Sequence, residues 1–187
     1  MPMASSLPFH TAEMVRALID ESRPSPRYET VYGELLVTPA PNLWHQELVG
    51  RLYTALSDYL RREPVGHVFA SPADISWGRP DVLVQPDVFV VPKAEARSMK
   101  WSGITRLILA VEVLSPSSIR ADRFTKRKLY QDRGTETYWM VDPDERVVEV
   151  WTPDAVFPRT EPETLRWQPA GASTELVLEL TDLFAPL

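Results

Sequence analysis

The sequence predicts an α/β (α+β) fold in which a mixed β-sheet is flanked by helices. Three observations predict it. Stretches of helical period alternate with stretches of strand period along the whole chain. Residues 45–60 repeat apolar side chains every three or four positions, the pattern of an amphipathic helix. Residues 107–114 are almost continuously apolar, as in a central strand covered on both faces. The resulting order is helix, strands, helix, three or more strands, helix, two strands, which suits helices packed on one mixed sheet.

Taken in order, Thr11 caps a short helix with Met14, Val15, Leu18 and Ile19 on one side, and Pro24 and Pro26 end it. Residues 28–37 read as two strands about Gly33. Pro39 and Pro41 make a turn, and Asn42 caps the next helix. Along that helix His45, Leu48, Val49, Leu52, Leu56, Tyr59 and Leu60 share a face, and it stops before Pro64 and Gly66. Residues 67–70 and 74–77 are expected to pair around Ser71-Pro72. Residues 81–91 form a valine-rich strand in which Pro86 requires a bulge or an edge. A polar connection through Lys100 leads to the central strand. Ser115-Pro116-Ser117-Ser118 then opens a basic helix that ends at Gly134. Residues 137–141 and 147–151 form a hairpin around Asp142-Pro143-Asp144. The tail from Thr164 alternates weakly and ends in the apolar run 176–180.

With 187 residues, and roughly 150 residues per domain as the usual size, one domain is expected over 1–187. An N-terminal helical arm occupies 1–26 and a C-terminal strand extension occupies 152–187. The chain has no cysteine, which excludes disulfides, thiolate zinc sites, iron–sulfur clusters and a cysteine nucleophile. His10, His45 and His67 lie far apart, without metal-ligand spacing. Residues 1–10 lack the layout of a secretory signal, and the longest apolar run is far too short for a bilayer. A cytoplasmic protein without a membrane partner is therefore expected. The 18 prolines, about twice the usual share, imply many fixed turns.

The net charge of −6 argues against coating nucleic acid by bulk charge. The charge is uneven, however. Residues 119–133 hold six basic and two acidic side chains, whereas the rest of the chain holds fourteen and twenty-four. A solvated helix face is the plainer reading of that segment, and a local phosphate-contacting face is the functional one.

Glu112 is out of place in Leu109-Ala110-Val111-Glu112-Val113-Leu114. A carboxylate in a buried strand is costly unless it is paired, protonated or bound to metal. A strand-end glutamate meeting solvent or an arginine would look the same in sequence. Asp87 follows Pro86 and opens a valine-rich strand, where capping a bulge is its plain role. One loop and one strand separate the two acids, so they can sit side by side on neighbouring strands. Adjacent carboxylates repel, and a divalent ion such as Mg²⁺ resolves this by taking oxygens from both. The backbone carbonyl of Val113 can supply a third. Asp122, Lys126 and Tyr130 fall on one stripe of the next helix. Lys126 there is either an ordinary partner of Asp122 or an ammonium that orients a water.

These residues resemble the PD-(D/E)XK nuclease superfamily, and more specifically the bacterial Uma-type family of restriction-endonuclease-like proteins. The matching stretches are Tyr32-Gly33-Glu34-Leu35, Pro41 with His45-Gln46, Gln85-Pro86-Asp87-Val88, and residues 111–118. Asp122-Arg123 with Lys126 and Tyr130, Tyr138-Trp139, Val141-Asp142-Pro143 and Asp182-Leu183-Phe184 complete the set. Together they span roughly residues 10–185.

The resemblance implies an αβββαβ core and a metal-dependent endonuclease acting on nucleic acid, with DNA the expected substrate. It implies that Asp87 and Glu112, with Val113, bind Mg²⁺ or Mn²⁺, and that Lys126 assists the water. The superfamily's lysine usually stands two residues after the glutamate, where this chain has Leu114. Lys126 takes its place from the following helix. Glu34, His45 and Tyr130 are expected in support, and Arg120, Arg123 and Arg127 are expected to hold phosphates. For Glu34 a solvent-facing place is an equally plain reading; for His45 a core or interface place, and for Tyr130 a core place, are the plainer ones. A homodimer is expected, because cutting two strands calls for two sites about a two-fold axis. Replacing Glu112 or Lys126 is expected to abolish cleavage without loss of thermal stability. Two other readings stay open on the residues alone: a catalytically weak or inactive nucleic-acid-binding or assembly module on the same fold, and a metal-free sugar hydrolase using two carboxylates.

Overall fold

The computed structural model describes residues 8–19 and 26–187. Helix α1 (Ala12–Leu18) is capped by Thr11, whose hydroxyl accepts the Met14 amide at 3.1 Å. Only Ala12 and Val15 of α1 are buried; Met14, Leu18 and Ile19 are exposed, so most of the expected apolar side faces solvent. Pro24 lies outside the described residues. Strands β1 (Arg27–Val31) and β2 (Glu34–Thr38) form the predicted hairpin. Its two turn residues, Tyr32 and Gly33, both take positive φ (52° and 84°), the twist that a two-residue hairpin turn needs. A side chain at Gly33 would also collide with the Phe9 ring.

Helix α2 (Leu43–Arg62) is capped by Asn42, which accepts the His45 amide at 2.8 Å. It buries Leu48, Leu52, Leu56, Tyr59 and Leu60. Strand β3 (Gly66–Ala70) follows, but residues 74–77 do not pair with it. Its partner is β5 (Val88–Pro92), and residues 74–77 contribute only a single bridge, Ile75 to Val84. The expected strand 81–91 is in fact two: β4 (Val82–Leu83) pairs with β1, and β5 belongs to the main sheet. Pro86 does not bulge a continuous strand. With no amide to donate, it marks the point where the chain leaves one sheet for another.

After the short turns α3 (Lys93–Ala96) and a 3₁₀ turn (Trp101–Gly103) comes β6 (Leu109–Val113), buried along its whole length as predicted. A π-wound turn (Ala121–Lys126) runs directly into α4 (Arg127–Asp132). Strands β7 (Thr137–Asp142) and β8 (Val147–Trp151) form the expected hairpin, and β9 (Arg159–Glu161) adds an edge. Strands β10 (Thr164–Trp167) and β11 (Leu176–Glu179) form a separate ribbon ahead of α5 (Leu180–Leu183).

The main sheet has the order β3-β5-β6-β7-β8-β9, with β6 and β7 parallel and the other pairs antiparallel. A parallel pair needs a crossover, which the π-wound turn and α4 provide. The sequence α2-β3-β5-β6-α4-β7 therefore gives the expected αβββαβ order. One sheet face packs on α2 and the β10–β11 ribbon through Leu52, Leu56, Val90, Val111, Trp139 and Trp167. The other packs on the β2-β1-β4 sheet and α4 through Val31, Val84, Phe89, Ala110, Tyr130 and Tyr138. No described helix is long and apolar enough to cross a membrane.

Candidate active site

Asp87 and Glu112 are cross-strand neighbours at one end of the β5–β6 pair. The register runs Val90 to Leu109, Phe89 to Ala110 and Val88 to Val111; continued by one position it sets Asp87, just before β5, opposite Glu112, and the Val113 amide 2.9 Å from Asp87 Oδ2 ties the two segments there. Directly opposite residues of an antiparallel pair share a face. Glu112 thereby shares the face of Ala110, toward Tyr130 and Lys126, and Asp87 sits just before β5, between Arg27 of β1 and His45 of α2.

A chain of alternating charge is built around them. Asp87 Oδ2 accepts the Val113 amide at 2.9 Å and lies 3.2 Å from His45 Nε2 of α2. Asp87 Oδ1 receives Nη1 of Arg27 from β1 at 2.9 Å. Arg27 Nε lies 3.7 Å from Glu29 Oε2. That same oxygen lies 2.9 Å from Lys126 Nζ, which is also 3.1 Å from Glu112 Oε1 and 3.3 Å from Asp122 Oδ1. The Tyr130 hydroxyl donates to Glu112 Oε1 at 3.1 Å, and the Gln85 amide donates to Glu29 Oε1 at 2.8 Å.

Local sequence explains these placements. Along β1, Arg27, Glu29 and Val31 share one face while Tyr28 and Thr30 face the other way, so the strand presents its guanidinium and its acid together. The helix after β6 brings Asp122, Lys126 and Tyr130 to one side because they recur about once per turn. Its π-wound stretch widens the turn at this point, as such bulges often do at functional sites.

The electrostatics follow from burial. Lys126 is only 1% exposed and is held charged by Glu112, Glu29 and Asp122, which outweigh the penalty of desolvation. Desolvation pushes Glu112 well above the usual carboxylate range; Lys126 opposes that rise, while Asp122, Asp87 and Glu29 add to it. Burial raises Asp122 in the same way. Burial would raise Asp87 too, but the His45 hydrogen bond and the Arg27 guanidinium reverse it and hold Asp87 well below the usual range.

Lys126, Glu112, Asp87, His45 and Tyr130 of the sequence-selected residues come together. Glu34 does not: it is exposed at the start of β2, and the carboxylate that this hairpin delivers is Glu29. Arg123 and Arg127 also turn away. Arg123 pairs with Asp142 at 3.0 Å and with Glu149. Arg127 bonds Arg123 O and Gln131 and stacks over Trp151. Arg120 is exposed. Arg27, Glu29 and the full role of Asp122 escape a reading of the sequence. The signal for Glu29 is the same as for Glu112, an acid inside a predicted strand.

The donor set fits a divalent ion. Glu29, Asp87, Glu112 and Asp122 set four carboxylates against two permanent cations, Arg27 and Lys126. Glu29 Oε2 and Asp122 Oδ1 lack an aligned hydrogen bond and retain acceptor capacity. Among the described residues no group of three His, Asp or Glu side chains forms a preformed cage. An ion that accepts one or two carboxylates and keeps several waters, as Mg²⁺ does, needs none.

A model of the Uma2 family, described as "Putative restriction endonuclease", matches residues 12–182. No curated protein matches the chain. Among solved structures, a protein from Anabaena variabilis ATCC 29413 described as "a putative nuclease belonging to DUF820" is similar. It superposes with a TM-score of 0.75 over 94% of this chain and 97% of its own, at 23% identity. At that identity the likeness shows a shared fold.

Proposed function

Since the chain belongs to the Uma2 family, we propose that it is a metal-dependent endonuclease that hydrolyses phosphodiester bonds of nucleic acid, with DNA as the substrate. One nuclease-like domain over 1–187 working as a cytoplasmic homodimer is part of the same reading. The observation that carries it is the cross-strand pair Asp87–Glu112 with Lys126 Nζ 3.1 Å from Glu112.

Asp87, Glu112 and the carbonyl of Val113 would hold Mg²⁺ or Mn²⁺. When bound, the ion supplies Lewis acidity toward water and phosphate oxygens. The chain's own residues do the rest. The Val113 amide fixes the orientation of Asp87. Tyr130 and Lys126 fix Glu112 through the same oxygen. Lys126 stays protonated beside the reacting centre, where a fixed cation stabilises charge that develops on a phosphodiester in a water-poor site. Its delivery from a helix compensates for Leu114, which stands where a strand lysine is usual.

A second reading has an observation of its own. Lys126 is shared among three carboxylates and is almost fully buried, which suits a weak or inactive module that binds nucleic acid on this fold. Incubation with supercoiled plasmid and single-stranded RNA, with Mg²⁺ or Mn²⁺, separates the two. Cleavage by wild type that chelation stops and Asp87→Ala abolishes supports the enzyme. Binding without metal-dependent cleavage supports the module. Hydrolysis that survives chelation contradicts both.

A further inference from the structure

We propose that Arg27 is the resident counter-ion of Asp87, a guanidinium that a divalent ion must displace, so that Arg27 sets the metal affinity of the site. The inference rests on the reading of Asp87 and Glu112 as metal ligands.

The two oxygens of Asp87 are held differently. Oδ2 is fixed by a backbone amide, that of Val113, and by His45. Oδ1 has Arg27 as its partner. An entering ion therefore meets an oxygen whose occupant is a side chain rather than the sheet. Arg27 Nη1 itself sits among three oxygens, Asp87 Oδ1 at 2.9 Å, Gln85 O at 3.0 Å and Ser71 Oγ at 3.4 Å. Such an all-oxygen environment suits a hard cation as well as a guanidinium.

Access points the same way. The Arg27 side chain is 18% exposed and that of His45 is 13% exposed, whereas that of Asp87 is 4% and those of Glu112 and Lys126 are 1%. Arg27 thus lies on the solvent side of the carboxylate it holds. It is permanently charged, so it repels an incoming dication for as long as it stays. Its long stem lets the head swing outward without moving β1.

The test is Mn²⁺ binding, measured by calorimetry and by the spin-resonance signal of free Mn²⁺, on wild type, Arg27→Gln, Arg27→Lys and Asp87→Asn. Arg27→Gln is expected to bind Mn²⁺ more tightly by on the order of tenfold or more. Arg27→Lys keeps a cation there and should stay within about threefold of wild type. Asp87→Asn should lose the binding, which locates it. Arg27→Gln affinity that is unchanged or weaker, with wild type binding normally, overturns the role of Arg27 and leaves the metal site standing. Failure of both wild type and Arg27→Gln to bind overturns the metal site and the inference together. Binding by Arg27→Gln alone supports both. If Arg27→Gln does not fold, the Arg27 Nε–H resonance of labelled wild type decides: a shift on saturation with Mg²⁺ supports displacement, and an unmoved resonance overturns it.

Discussion

Lys126 Nζ lies 2.9 Å from Glu29 Oε2, tying the helix that follows β6 to the first strand of the β2-β1-β4 sheet. The same ammonium also meets Glu112 and Asp122. It is therefore both the candidate catalytic cation and the counter-charge of three buried carboxylates.

Lys126→Ala should accordingly cost stability as well as activity. Removing one partner of a buried ion pair typically costs about 3–5 kcal/mol, because the remaining charges are left uncompensated. This reverses the expectation from sequence, in which replacing Lys126 left thermal stability intact. Denaturant titration checks it; a midpoint equal to that of wild type would show that the cluster does not depend on this ammonium.

Glu112→Gln should behave in the opposite way. Its amide oxygen can still accept from Tyr130 and Lys126, while one negative charge leaves a cluster with four carboxylates. Thermal unfolding should hold or rise while metal-dependent cleavage is lost. Full cleavage by this variant would remove Glu112 from the site.

Arg123 and Arg120 should separate folding from binding. Arg123 joins the π-wound turn ahead of α4 to β7 and β8 through Asp142 and Glu149, so Arg123→Ala should lower the melting temperature. Half-buried pairs of this kind contribute about 1 kcal/mol. Arg120 is exposed, and Arg120→Ala should weaken nucleic-acid binding, with a shallower salt dependence and no change in melting. Equal effects of the two changes on binding would contradict the division.

Glu63, at the end of α2, should make the C-terminal ribbon acid-sensitive. Its carboxylate accepts the Thr174 hydroxyl at 2.7 Å, the Ser173 amide at 2.9 Å and the Thr174 amide at 3.1 Å. The Thr174 hydroxyl bond and these amides hold it below its ordinary value of 4.5. A carboxyl that is more acidic when folded stabilises the fold above its unfolded pKa. That stability disappears as the pH falls through the folded value. Wild type should thus lose stability below about pH 4.5 more steeply than Glu63→Gln, as pH-resolved thermal unfolding would show. Parallel curves would contradict it.

The elements whose signals are local were legible in the sequence. The Asn42 cap, the apolar face of α2 and the fully apolar β6 depend on near neighbours, and each forms where the pattern puts it. Residues 81–91 failed because β-pairing is decided by distant partners: one valine-rich run serves two sheets. Half of the site was legible for a related reason. Glu112 and Asp87 stand out against apolar strands. Glu29 sits in a strand whose inward face only the packed second sheet defines, so Glu34, next to the conspicuous Gly33, drew the choice instead. Arg123 and Arg127 share the basic segment with Lys126 but lie on another side of the helix, and composition alone does not distinguish sides.

The most direct measurement is a crystal structure grown with Mn²⁺ and read by anomalous scattering. A single peak about 2.1 Å from carboxylate oxygens of both Asp87 and Glu112 is the expected result. A well-ordered site with Arg27 still on Asp87 at saturating Mn²⁺, and no peak between the two acids, would contradict it.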